Sequence, residues 1–109
     1  MASDSTTRRV TVRNPQGLHA RPAHTLVSLA NRYESEIQII RDGESADAKS
    51  ILAILTLAAE EGTQLTIKAI GEDAGAALDA LSDLFAQGFG ENGSEVKTEE
   101  SETGGQKIS

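Results

Sequence analysis

The chain has 109 residues, is 38% hydrophobic but only 3% aromatic, and carries a formal net charge of −7. That length suits one domain with a modest core, which must be aliphatic. The acidic balance excludes general nucleic-acid binding, which needs a cationic footprint. The lack of cysteine excludes disulfides and thiol chemistry, and no apolar run is long enough to span a membrane. The opening Met1-Ala2-Ser3-Asp4-Ser5 lacks the basic-then-apolar signature of a signal peptide, so a cytoplasmic protein is expected.

Residues 1–6 are expected to be flexible, ahead of a domain over 7–90. Arg9-Val10-Thr11-Val12-Arg13 alternates apolar and polar residues, which predicts a half-buried strand. Next comes Asn14-Pro15-Gln16-Gly17-Leu18-His19-Ala20-Arg21-Pro22-Ala23. Pro15 and Gly17 are turn residues, and Pro22 is tolerated only in a first helical turn, where a backbone N–H has no intrahelical partner. Ala23, Leu26, Val27 and Ala30 follow at helical spacing, so a helix is predicted to about Tyr33. His19 therefore falls at or just before a helix N-terminus, where free N–H groups and the positive end of the dipole attract anions such as phosphate.

Ile37-Gln38-Ile39 alternates again and runs into Ile40-Arg41. Asp42-Gly43 is a hairpin signal, leading to a second strand near Glu44 to Ala48 that is weak on propensity alone. Ile51 to Leu57 is too short an apolar stretch for periodicity to decide, but Ser50 as an N-cap favours a short helix. Gln64 to Ile70 is the clearest strand. Asp73 is expected to cap a last helix with Ala77, Leu78, Leu81, Leu84 and Phe85 along one stripe, and Gly88 and Gly90 end it. The order βαββαβα predicts an α+β domain: a four-stranded antiparallel sheet with three helices on one face and water on the other. Residues 91–109 carry Glu91, Glu95, Glu99, Glu100 and Glu102 against Lys97 and Lys107, a balance of −3, and are expected to form an acidic disordered tail.

Two residues stand out chemically. His19 is a candidate nucleophile, and Arg21, two positions on, is a permanently charged, forked donor suited to phosphate oxygens. His24, the only other histidine, suits a surface or interface role. Two histidines without a supporting acid cluster argue against a metal site.

Gly17-Leu18-His19-Ala20-Arg21-Pro22-Ala23 resembles the active-site signature of the HPr family. These are the histidine-containing phosphocarriers of the phosphoenolpyruvate-dependent phosphotransferase system. Ala48-Lys49-Ser50-Ile51 resembles the family's second signature, around a regulatory serine, and the element order agrees over roughly residues 6–90. The resemblance implies an open-faced β-sandwich. It implies that His19 accepts a phosphoryl group on its Nδ1 from phosphorylated enzyme I and passes it to an enzyme IIA domain. The protein would then be a monomeric carrier and not a turnover enzyme, with no cofactor, no metal and no membrane insertion.

Imidazole attacks phosphorus when neutral, which its unperturbed pKa of about 6.5 favours at neutral pH. A helix N-terminus disfavours imidazolium and favours the phosphate dianion of the product. Ser50 has two compatible readings. It is a helix cap contributing about 1 kcal/mol, or a site for a serine kinase/phosphorylase that adds charge of roughly −1.5 to −2. The resemblance implies that Ala20, His24, Ile51, Leu52 and Leu55 form the partner-binding surface around His19. Gly88-Phe89-Gly90-Glu91 looks more like the family's nitrogen-related branch, whereas Lys49-Ser50 looks like the sugar branch. A regulatory docking module that carries no phosphate is a third reading, and His19 argues against it.

Overall fold

The protein is described by a computed structural model over residues 5–90; the first four residues and the expected acidic tail, residues 91–109, lie outside the described residues. The elements are β1 (Ser5–Thr11), α1 (Ala20–Ala30), β2 (Glu36–Arg41), β3 (Glu44–Asp47), α2 (Ile51–Thr56), β4 (Gln64–Ile70) and α3 (Ala74–Ala86), with a 3₁₀ turn at Gly88–Gly90. The strands form one antiparallel sheet in the order β1-β4-β2-β3. This is the expected open-faced βαββαβα sandwich.

Register explains the two faces of the sheet. Leu65, Ile67 and Ala69 of β4 sit opposite Val10 of β1 and Ile39 and Ile37 of β2, and all six are buried. The intervening Thr66 and Lys68 stay partly exposed, which leaves the second face polar. On the first face, Leu26 of α1, Ile54 of α2 and Leu78, Leu81 and Phe85 of α3 complete a core that is aliphatic but for the Phe85 ring. Fully burying each such side chain contributes about 1.5–3 kcal/mol. Phe85 also meets Phe89 edge-on, with centroids 4.9 Å apart, which packs the 3₁₀ turn onto the end of α3.

Several boundaries differ from expectation. β1 starts at Ser5, inside the segment expected to be flexible, because its pairing with β4 continues to Ser5 opposite Ile70. Those early residues are exposed, so no apolar alternation marks them. Beyond Thr11, Val12 remains tied: its N–H donates to Thr63 O at 2.9 Å and its carbonyl accepts the Gly62 N–H at 2.8 Å. α1 stops at Ala30 and not at Tyr33. Asn31 turns its Nδ2 back onto Val27 O at 2.9 Å, and the Arg32 and Tyr33 N–H groups reach only three residues back. In the hairpin, Asp42 and Gly43 both take positive φ, as a two-residue turn between twisted strands requires.

Asp73 departs most from its expected role. It occupies the N-cap position of α3, yet its side chain makes no cap bond there. The carboxylate instead accepts from the backbone N–H groups of Glu34 (2.8 Å) and Ser35 (2.9 Å) and from the Ser35 hydroxyl. Those bonds, led by the hydroxyl, hold its carboxyl below the ordinary value of 3.8.

Candidate functional site

The turn between β1 and α1 is built from beneath. Asn14 is buried completely. Its Nδ2 donates to the Gly17 carbonyl at 2.6 Å, and the Gly17 N–H donates back to the Asn14 carbonyl at 3.0 Å. Gly17 has φ +72, and a Cβ there would run into the Ala59 carbonyl and stand 2.9 Å from Glu60 Cα. Glycine is therefore required both by conformation and by the close approach of the α2–β4 loop. Leu18 then inserts into the core and donates its N–H to Ala59 O at 2.9 Å.

His19 follows as the N-cap of α1, in extended conformation with φ −82 and ψ −167. Its N–H donates to Gly17 O at 3.0 Å, and its carbonyl accepts the Ala23 N–H at 3.0 Å as the first bond of the helix. Pro22 is thus the third helical residue, still within the first turn, where its missing N–H leaves no helical bond unmade. The helix supplies no acceptor for the N–H groups of Ala20 and Arg21. The first turn of α1 contains no acid. His19 and Arg21 come together with Pro15, Gln16 and Ala20 around one open depression. His19 is half-buried and Arg21 exposed. A half-buried imidazole, a forked cation and a helix N-terminus on one concavity can hold a tetrahedral dianion.

The second signature forms the start of α2. Ser50 is its N-cap: the Oγ accepts the Ala53 N–H at 3.2 Å. α2 packs against α1. Ile51 and Leu52 are exposed, Leu52 at 77%, while Ile54 faces the core. Leu55 departs from its expected exposed position, because it is half-buried against the core beside Ile54. Ala20 and His24 are exposed. His24 lines a second depression with Thr25, Ser28, Leu29, Arg32 and Leu84, one turn along α1 from Ala20. Among the described residues, no group of three His, Cys, Asp or Glu side chains could hold a metal ion.

A family model described as "PTS HPr component phosphorylation site" matches residues 6–87. The chain belongs to the HPr family. The phosphocarrier protein HPr of Cupriavidus necator is 42% identical over 84 residues, spanning 77% of this chain and 94% of that one. The phosphocarrier protein NPr of Proteus mirabilis is 41% identical over 86 residues, spanning 78% and 96%. The crystal structure of HPr-C-His from Thermoanaerobacter tengcongensis superposes with a TM-score of 0.76 at 36% identity, covering 79% of this chain and 97% of that one.

Three residues brace the candidate site of this HPr-family chain in ways the sequence did not announce. Asn14 braces the turn from below. Lys49 extends its Nζ to the Tyr33 carbonyl at 2.8 Å, tying the segment before α2 to the end of α1. Arg41 donates to Leu57 O (2.7 Å) and Ala58 O (2.9 Å), and so holds the end of α2, where Ala58 takes φ +50. The Lys49 and Arg41 bonds join a side chain to a backbone group of another segment, and no local pattern announces such a bond. Asn14 alone left a clue, as an amide residue three positions before the turn glycine.

Proposed function

We propose that this phosphocarrier-family protein takes a phosphoryl group onto His19 from phosphorylated enzyme I and delivers it to an enzyme IIA domain in the cytoplasm. The observation that carries this reading is the shared depression of His19 and Arg21 at the acid-free N-terminus of α1. A lone pair of the neutral imidazole forms the N–P bond as the bond from phosphorus to the donor breaks, and delivery reverses these roles. The transition state is loose and metaphosphate-like, so the carrier needs to position and neutralise charge, with little covalent help. Arg21 and the first-turn N–H groups do so without enclosing the phosphate, which keeps transfer reversible.

Ile51 and Leu52 are the docking contacts beside the site, with Ala20 at its rim. An exposed aliphatic pair suits a partner that binds and leaves. Ser50 is a second acceptor in this reading, for a serine kinase, because phosphate there would place charge against that apolar pair.

Mass measurement after incubation with phosphoenolpyruvate and enzyme I tests the reading. One acid-labile phosphate is expected, and it should be absent from His19→Ala. Failure of every enzyme I tested to label the chain, or labelling retained in the variant, would overturn it. A nitrogen-branch role is the second reading, favoured by the similarity to an NPr protein, which nearly equals that to an HPr protein. Parallel rates with sugar-branch and nitrogen-branch enzyme I separate the two.

A further inference from the structure

Two polar residues are buried among the described residues, Asn14 at 0% and Ser35 at 2% exposure. Ser35 is engaged by Asp73, far along the chain, whereas Asn14 lies directly under the candidate site. The Gly17 carbonyl receives two donors: Asn14 Nδ2 at 2.6 Å and the His19 N–H at 3.0 Å. A carbonyl oxygen has two lone pairs, so these donors fill it. Gly17 is itself buried and takes no part in the wall of the depression, which Pro15, Gln16, His19, Ala20 and Arg21 form.

The Gly17 carbonyl lies two residues before His19, within the turn that leads into α1. Turned outward, its partial negative charge would oppose phosphoryl oxygens in surroundings less screened than water. We propose that Asn14 is a positioning residue for phosphoryl transfer: its amide holds the Gly17 carbonyl beneath the turn, so that the depression presents N–H groups and the Arg21 guanidinium to the phosphate. The inference rests on the carrier reading of His19 and adds a residue that touches neither phosphate nor imidazole in this role.

The chemistry demands an amide. Asparagine has both the length and the N–H to reach the carbonyl. Aspartate has the same shape, but ionised it offers only acceptors and would face the carbonyl oxygen with like charge. A purely structural brace would lower stability in both variants and leave the phosphohistidine itself unaltered.

The test compares wild type, Asn14→Ala and Asn14→Asp, with Ser35→Ala as a variant destabilised elsewhere. All four are phosphorylated with enzyme I and phosphoenolpyruvate at a temperature where circular dichroism shows each folded. The readouts are phosphohistidine lifetime and its ³¹P chemical shift. Both Asn14 variants are expected to lose phosphate on the order of tenfold faster than wild type, because the phosphorylated form loses part of the donor array that holds it. They should also show a moved ³¹P signal, while Ser35→Ala matches wild type on both. Asn14 variants that fold and match wild type in lifetime and shift would overturn the proposal while leaving the carrier reading intact. A wild type that takes no phosphate would overturn both. Where the Asn14 variants fail to fold, the wild-type protein still decides. The scalar coupling across the Asn14 Nδ2–H to Gly17 carbonyl bond should persist in the phosphorylated form, and its disappearance on phosphorylation would refute the role.

Discussion

The Asp73 carboxylate accepts both the backbone N–H of Ser35, at 2.9 Å, and the Ser35 hydroxyl. Through this pair the first residue before α3 fastens the turn that enters β2, 38 positions away in sequence. Asp73→Asn keeps the shape but replaces one carboxylate oxygen with a donor, so the variant should melt below wild type at pH 7. The pH dependence has a definite sign. The folded carboxyl is held below its ordinary value of 3.8, so its contribution is complete above that value and is lost as pH falls through the lower, folded one. Thermal melts from pH 7 to pH 2 should therefore show the gap between the two proteins closing at the acid end. A constant gap would mean that the charge is irrelevant.

Arg41 links β2 to the end of α2 through the carbonyls of Leu57 and Ala58. Arg41→Leu removes a charged donor from both. We expect a loss of about 1.5 kcal/mol in urea denaturation with the slope unchanged. An Arg41→Lys variant should recover only part of this loss, since both bonds come from one terminal nitrogen that stands one atom further out than a lysine ammonium.

Ser50→Ala removes the bond to the Ala53 N–H and should cost about 1 kcal/mol of stability. Ser50→Asp keeps an acceptor at the cap and should melt close to wild type. The same aspartate places charge beside Ile51 and Leu52, so it should slow phosphoryl acceptance at limiting partner concentration. Equal rates for Ser50→Asp and wild type would detach Ser50 from the docking surface.

Leu52 is 77% exposed, so Leu52→Ser should change stability by no more than about 0.5 kcal/mol. As a docking contact it should nevertheless raise the partner concentration for half-maximal phosphorylation by on the order of tenfold. Leu55→Ser makes the informative contrast. Leu55 is half-buried against the core, so its loss should lower the melting temperature as well.

Most of the fold was legible because burial writes itself into local spacing. The strand expected over Gln64 to Ile70 is β4 at those bounds, since Leu65, Ile67 and Ala69 face the core in alternation. Ser50 was read as a cap and caps α2. The early half of β1 was illegible because Ser5 to Arg8 have exposed side chains and no apolar alternation; they join the sheet by backbone pairing with β4, and Arg8 adds an ion pair to Asp79 at 2.7 Å that no local pattern announces. Asp73 shows the other limit. Its type and position suited a helix cap, but two backbone donors and a hydroxyl from the distant turn outcompeted the local N–H groups. Within the candidate site, His19 and Arg21 were visible from the turn-to-helix pattern, whereas Asn14 acts inward, through a carbonyl that only the folded turn creates.

The bond from the Leu18 N–H to the Ala59 carbonyl spans the His19 turn and the loop before β4. With Leu18 only 4% exposed, that proton can reach water only when the two loops part. Its exchange with deuterium thus serves as a clock on the turn. A slow Leu18 amide would describe a carrier that meets every partner with its turn already set. A Leu18 amide that exchanges much faster than the amides of β4 would describe a turn that shuts around its cargo.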